Sequence, residues 1–122
     1  MKKPKFAVER TGPATIDIAA ALDYSFSFGG LSGQNRYRLL LGRCLKDIGE
    51  EPRRLGSRNI KSDLWLYHSR YSKTKAQTSN DRVKSPRHLI LYQISDAENR
   101  VLILRVLHDA MDLPKYIESA QG

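Results

Sequence analysis

Two strongly apolar runs lie close together in the last third of the chain, from His88 to Ile94 and from Val101 to Leu107, with the polar stretch from Ser95 to Arg100 between them. So short a connection turns the second run back along the first, which predicts an antiparallel pair of strands. Val101-Leu-Ile-Leu104 is apolar at every position, on both faces of a strand with a two-residue period. Such a strand predicts a central place in a sheet covered on both sides.

The first half of the sequence offers a cover. Tyr37, Leu40, Leu41, Cys44, Leu45 and Ile48 recur at the three- and four-residue spacing of one helix face, and Gly49 and Pro52 end the pattern. Upstream, Ile18, Leu22 and Phe26 form a second stripe. It runs from a helix start at Thr11-Gly12-Pro13, with Pro13 at the first helical position, to about Phe28. Gly29-Gly30 separates the stripes, and Ser32 is the expected N-cap of the second helix. Helices joined by so few residues predict an antiparallel hairpin. Neither stripe can be buried by the other alone, so a sheet is expected beneath them. Lys5 to Glu9 reads as a short first strand with Phe6 and Val8 on one face. Leu64 to Tyr67 reads as another, extending through Tyr71 because Trp65, Tyr67, Ser69 and Tyr71 share a face. Leu113 to Ser119 adds a last helical turn or an edge segment. The expected fold is α+β: an N-terminal strand, a helical hairpin, then a mainly antiparallel three-stranded sheet, in one domain spanning 1–122.

The 122 residues suit one domain, and 40% hydrophobic residues argue against disorder by composition. No apolar run approaches the ~20 residues that cross a bilayer, so no membrane partner is expected. The basic start, Met1 to Lys5, leads into Phe6-Ala-Val8, which Glu9 and Arg10 stop, so no signal peptide is expected. The single Cys44 has no partner for an internal disulfide, in keeping with a cytoplasmic location. The formal charge of +8 is concentrated. Between Pro52 and His88 stand ten Lys or Arg (Arg53, Arg54, Arg58, Lys61, Arg70, Lys73, Lys75, Arg82, Lys84, Arg87) against Asp63 and Asp81, and the rest of the chain is neutral with eleven of each sign. A field so placed favours an acidic partner, nucleic acid or an acidic protein segment. Within it, 72–85 reads as a mobile basic loop.

The C-terminal strands carry a resemblance. Pro86-Arg-His-Leu-Ile-Leu-Tyr92 is similar to the Arg-His-apolar-apolar-apolar-Tyr strand of the RelE/ParE toxin superfamily, and Val101-Leu-Ile-Leu-Arg105-Val-Leu-His108 followed by Met111-Asp-Leu113 resembles its closing strand and tail. Weaker likeness runs through Ile16-Asp17, Phe28-Gly29, Gln34-Asn-Arg-Tyr37 and the segment from Ile48 to Gly56, so the resemblance covers Thr11 to Tyr116 and is closest to the ParE-like side. It implies a cytoplasmic toxin of a type II toxin-antitoxin system, of the kind that includes plasmid-stabilization modules, neutralised by a cognate antitoxin. ParE-like members poison DNA gyrase, and RelE-like members cleave messenger RNA on the ribosome. The chain departs from the compact family pattern between His68 and Ser85, where the family has a short turn.

Metal-free RNA cleavage needs a base for the 2′-OH, an acid for the leaving oxygen and cations for the phosphate. Arg87, His88 and His108 are the residues that would supply them, making ribosome or RNA the alternative partner. The resemblance speaks against this chemistry: Leu89 stands where RelE-like nucleases carry a basic residue, and Asp109-Ala110 follow His108 where those nucleases are basic or aromatic. The expectation is therefore binding without catalysis, through Arg53, Arg54, Arg58, Trp65, Arg70, Arg87, His88 and Arg105. Arg105 is also expected to pair with Asp109 or Asp112 and hold the tail. Cys44 reads as a core residue. No Cys/His spacing suggests zinc and no glycine-rich loop suggests a nucleotide, so no metal or cofactor is expected.

Overall fold

The computed structural model describes residues 6–73 and 86–121. The chain runs β1 (Ala7–Arg10), α1 (Gly12–Glu50), β2 (Ser57–Lys61), β3 (Leu64–His68), a 3-10 turn (Ser69–Ser72), β4 (His88–Ser95), β5 (Arg100–His108) and α2 (Leu113–Gln121). The architecture is α+β. The sheet holds five strands in the order β1-β5-β4-β3-β2, where three were expected. β1 joins it in parallel alongside β5, and the other neighbours are antiparallel. The added edge strand, β2, reads Ser-Arg-Asn-Ile-Lys and has Ile60 as its one apolar residue. A water-facing edge with charged side chains shows no hydrophobic alternation, which also guards it against stray pairing.

α1 contains the expected hairpin. Its helical course is broken at Gly30 alone, with φ 62° and ψ −156°, a conformation open to glycine. Beyond it the helix folds back: Gln34 Nε2 donates to the Leu22 carbonyl at 3.3 Å, twelve residues away, where a straight helix would separate them by about 18 Å. Ser32 lies inside the resumed helix and accepts from Arg36 Nη1 instead of capping it. Thr11 caps the first limb, its hydroxyl accepting from the Ala14 N–H at 3.1 Å.

The strands divide the apolar residues between two faces. Tyr37, Leu40, Leu41, Cys44 and Ile48 of α1 pack on Tyr67, Ile90, Tyr92, Ile94, Val101, Ile103 and Val106. On the opposite face, Leu64, Leu66, Leu89 and Leu91 form a smaller cluster with Ile60, Leu104 and, from α2, Leu113 and Ile117. β5 is thus the doubly covered strand its composition required. The hairpin tip extends past this core. Phe26, expected in the buried stripe, is exposed, as are Tyr24, Phe28 and Leu31.

β5 carries a bulge. Tyr92 faces Ile103 while Leu91 faces Arg105, leaving Leu104 without a partner. β1 ends opposite Ile103, so the β5 backbone beyond that point needs other partners. The Thr11 hydroxyl donates to the Leu104 carbonyl at 2.9 Å, and the Asp17 carboxylate accepts the Val106 N–H at 2.9 Å. The first turns of α1 thereby continue the sheet edge that β1 leaves.

The expected strand through Tyr71 stops at His68, where the chain tightens into the 3-10 turn. Ser72 is buried there, joined to the Tyr67 hydroxyl at 2.8 Å and donating to Asp47 at 2.7 Å. The rest of the expected mobile loop, from 74 to 85, lies outside the described residues.

Candidate binding site at one end of the sheet

The ends of β3, the start of β4 and the end of β5 lie side by side, because Leu89 pairs with His68 and His88 pairs with His108. All three histidines of the chain therefore meet at one end of the sheet. His88 is 8% exposed. Its Nδ1 hydrogen-bonds the Tyr37 hydroxyl, which also accepts the Arg87 N–H at 3.2 Å. The His108 ring stands edge-on to it, with centroids 5.2 Å apart. Burial, then the proximity of His108, brings the His88 pKa down to about 4, so the ring is neutral near pH 7. Burial likewise pushes the Tyr37 hydroxyl up to about 12.

Around this sealed pair lies a more accessible ring of polar groups centred on Asp109. Arg87 Nε donates to both carboxylate oxygens, at 2.9 and 3.1 Å, and the Asp109 N–H donates to the Arg87 carbonyl at 2.7 Å. His68 Nε2 lies 3.5 Å from the same carboxylate. His68 Nδ1 accepts the Arg70 N–H at 3.0 Å, and His108 Nδ1 accepts the Ala110 N–H at 3.0 Å. Each backbone donor fixes its imidazole, when neutral, with the proton on Nε2. Burial alone would raise the Asp109 pKa; the hydrogen bonds from Arg87 and His68 outweigh it and hold the carboxyl below its usual range. Burial lowers His68.

Of the binding candidates, Arg87 and His88 meet here, with Arg70 exposed close by. The others are elsewhere. Arg53 makes a two-point pair with Asp96, at 3.1 and 2.7 Å, and lies over the half-buried Trp65 ring, 5.7 Å from its centroid. Arg54 reaches the Asp47 carbonyl at 3.2 Å, and Arg58 is exposed on β2. Arg105 does not pair with Asp109 or Asp112. It bonds Asp17 through Nε and Nη2, at 2.7 and 3.0 Å, with Tyr116 of α2 stacked 5.4 Å from its guanidinium carbon. Asp109 is taken by Arg87 and His68, while Arg105 meets Asp17 at the sheet edge just beyond the end of β1. Within the basic segment, Arg53, Arg54 and Arg87 are thus paired with Asp96, Asp47 and Asp109.

The roles of three acids that organise the molecule escaped the sequence reading: Asp17 and Asp47 were given no partner, and Asp109 was expected to pair with Arg105. Asp17 and Asp47 had a signal. Asp17 falls three residues after the buried Ala14 and four before the buried Ala21; Asp47 falls three after Cys44. A carboxylate inside an apolar stripe demands a buried counter-ion, and Asp47 finds Arg43 at 3.0 Å. Asp109 carried no such mark.

As a chemical device, this end of the sheet holds one arginine in place by its Nε and keeps one histidine neutral and enclosed. That suits recognition of an oxyanion. Among the described residues no group of three or more His, Cys, Asp or Glu has the geometry to hold a metal ion.

A family model described as ParE toxin of type II toxin-antitoxin system, parDE, matches residues 8–113. No curated protein matches the sequence. Among solved structures, the free E. coli toxin RelE, as an arginine-to-alanine double mutant, is 15% identical with a TM-score of 0.51, the match covering 96% of each chain. That likeness is one of fold. The toxin-antitoxin complex RelBE2 from Mycobacterium tuberculosis has a chain 20% identical, with a TM-score of 0.48, covering 90% of this chain and 98% of its own.

Proposed function

We propose, since the chain belongs to the ParE toxin family of type II toxin-antitoxin systems, that it arrests growth by binding a target, DNA gyrase, and that a cognate antitoxin neutralises it in the cytoplasm. The observation that carries the binding mode is the internal commitment of the groups catalysis would need. His88 is buried and neutral against Tyr37, Arg87 is held by Asp109, and Arg105 is held by Asp17. A general base sealed from solvent makes a poor phosphodiester-cleaving site. No helix among the described residues is long and apolar enough to cross a membrane.

Purified protein added to a gyrase supercoiling assay is expected to block supercoiling, and the antitoxin to restore it. Unchanged supercoiling at excess protein rejects gyrase as target. One observation favours the alternative, a ribosome-dependent messenger RNA endonuclease: Arg87, His88 and His108 do converge at one end of the sheet. Mapping transcript ends after induction separates the two. Discrete in-frame cuts that vanish in His88→Ala select the nuclease.

A further inference from the structure

We infer that Asp109 is a positioning residue whose grip on Arg87 turns that guanidinium into a receptor for a carboxylate of an acidic protein segment. The inference rests on the binding role proposed above and names the chemistry of one contact within it. An arginine offers two donor edges. At Arg87, Asp109 takes Nε with both oxygens, while Nη1 and Nη2 have no partner among the described residues and the side chain is 55% exposed. Asp109 is fixed in turn by the backbone bond to Arg87 and by His68. The arginine is therefore anchored from its own side, with less rotamer freedom to lose on binding. Its outward edge matches the spacing of a planar carboxylate, which it can bind bidentately.

A nucleic-acid strand would need a row of available cations, each on a phosphate. Among the described residues, Arg53, Arg54, Arg100 and Arg105 are engaged by Asp96, Asp47, Glu9 and Asp17, and the exposed Arg58 and Lys61 stand on the edge strand β2, separated from β4 by β3. One oriented fork, with Arg70 exposed nearby adding to the field, fits a glutamate or aspartate of a partner chain better than a polyanion backbone.

The test uses the full chain and a fluorescently labelled hexaglutamate peptide, with anisotropy at low ionic strength. The Arg87 15Nε–H resonance reports the anchor directly. The wild-type chain binds the peptide. Arg87→Lys, which keeps the charge and loses the fork, weakens binding about tenfold. Asp109→Asn also weakens it about tenfold and shifts or broadens the Nε–H signal, although it makes the chain more positive. That sign is the discriminator: a site working by net charge alone binds the peptide more tightly in Asp109→Asn. Equal or tighter binding by a folded Asp109→Asn variant overturns the inference. Where that variant does not fold, unchanged binding by Arg87→Lys overturns it instead. Failure of the wild-type chain to bind, or displacement of the peptide by single-stranded oligonucleotide at lower concentration than by unlabelled peptide, also overturns it. The supercoiling assay contains no acidic peptide, so gyrase as target and this contact can fail separately.

Discussion

Asp17→Ala removes the one carboxylate that joins α1 to the β5 bulge. Three hydrogen bonds end on Asp17: Arg105 Nε at 2.7 Å, Arg105 Nη2 at 3.0 Å and the Val106 N–H at 2.9 Å. The side chains are 14% exposed for Asp17 and 22% for Arg105, so the pair is shielded without being fully buried. Stranding a buried charge costs about 3–5 kcal/mol. Partial hydration of Arg105 reduces that to about 2 kcal/mol, and the orphaned Val106 N–H adds about 1 kcal/mol. Alanine's better helix propensity returns about 0.5 kcal/mol. The net loss is about 2.5 kcal/mol, which for a chain of this size lowers Tm by about 10 °C. Urea denaturation followed by circular dichroism, with Asp17→Ala, Arg105→Met and the double variant, measures both the loss and the coupling. A coupling energy above about 1 kcal/mol is expected for side chains in direct contact. A single-variant loss below 1 kcal/mol, or additive effects of the two substitutions, refutes the account of the bulge as stabilised by Asp17.

His88 makes stability depend on pH. Its pKa falls from 6.5 in the unfolded chain to about 4 in the fold, so the unfolded state binds the proton first and stability declines as pH drops from about 6.5 toward 4. The change is about 3 kcal/mol, and His88→Gln should flatten that part of a denaturation-versus-pH curve. Gly49 lies under β1, where an added Cβ would come within 2.8 Å of Val8 Cγ2; Gly49→Ala is expected to destabilise by about 1 kcal/mol in thermal melts, overpacking exceeding the helix-propensity gain. Cys44 is fully buried, with its thiol pKa pushed up to about 12. A disulfide reagent such as DTNB should therefore label it only after denaturant is added.

The elements that hydrophobic spacing specifies were legible in the sequence. The hairpin break at Gly30, the Tyr37–Ile48 stripe and the β4–β5 pair all bury apolar side chains, so burial wrote their periods into the chain. β2 was not legible, because an edge strand gains its place from backbone pairing with β3, and all its side chains but Ser57 and Ile60 face water. At the candidate site, Arg87, His88 and His108 could be named because they belong to the strands that carry the family likeness. Their partners could not be paired correctly. Asp109 stands one residue from His108 and four from Arg105, yet it bonds Arg87 across the β4–β5 ladder. Side-chain pairing of that kind depends on strand register, and the bulge that sets the register leaves no mark in composition.

That bulge gives β5 something like a reading frame. Before Leu104, odd-numbered residues (Val101, Ile103) look toward the helical hairpin; after it, even-numbered Val106 takes over. One supernumerary residue thus lets a single strand serve the core in two frames and sets His108 beside His88. Length at this point matters more than identity. A change of side chain at Leu104 would be absorbed locally and its deletion would only close the bulge, whereas a residue inserted after it would exchange the two faces of everything from Arg105 to His108 and dissolve the polar end of the sheet.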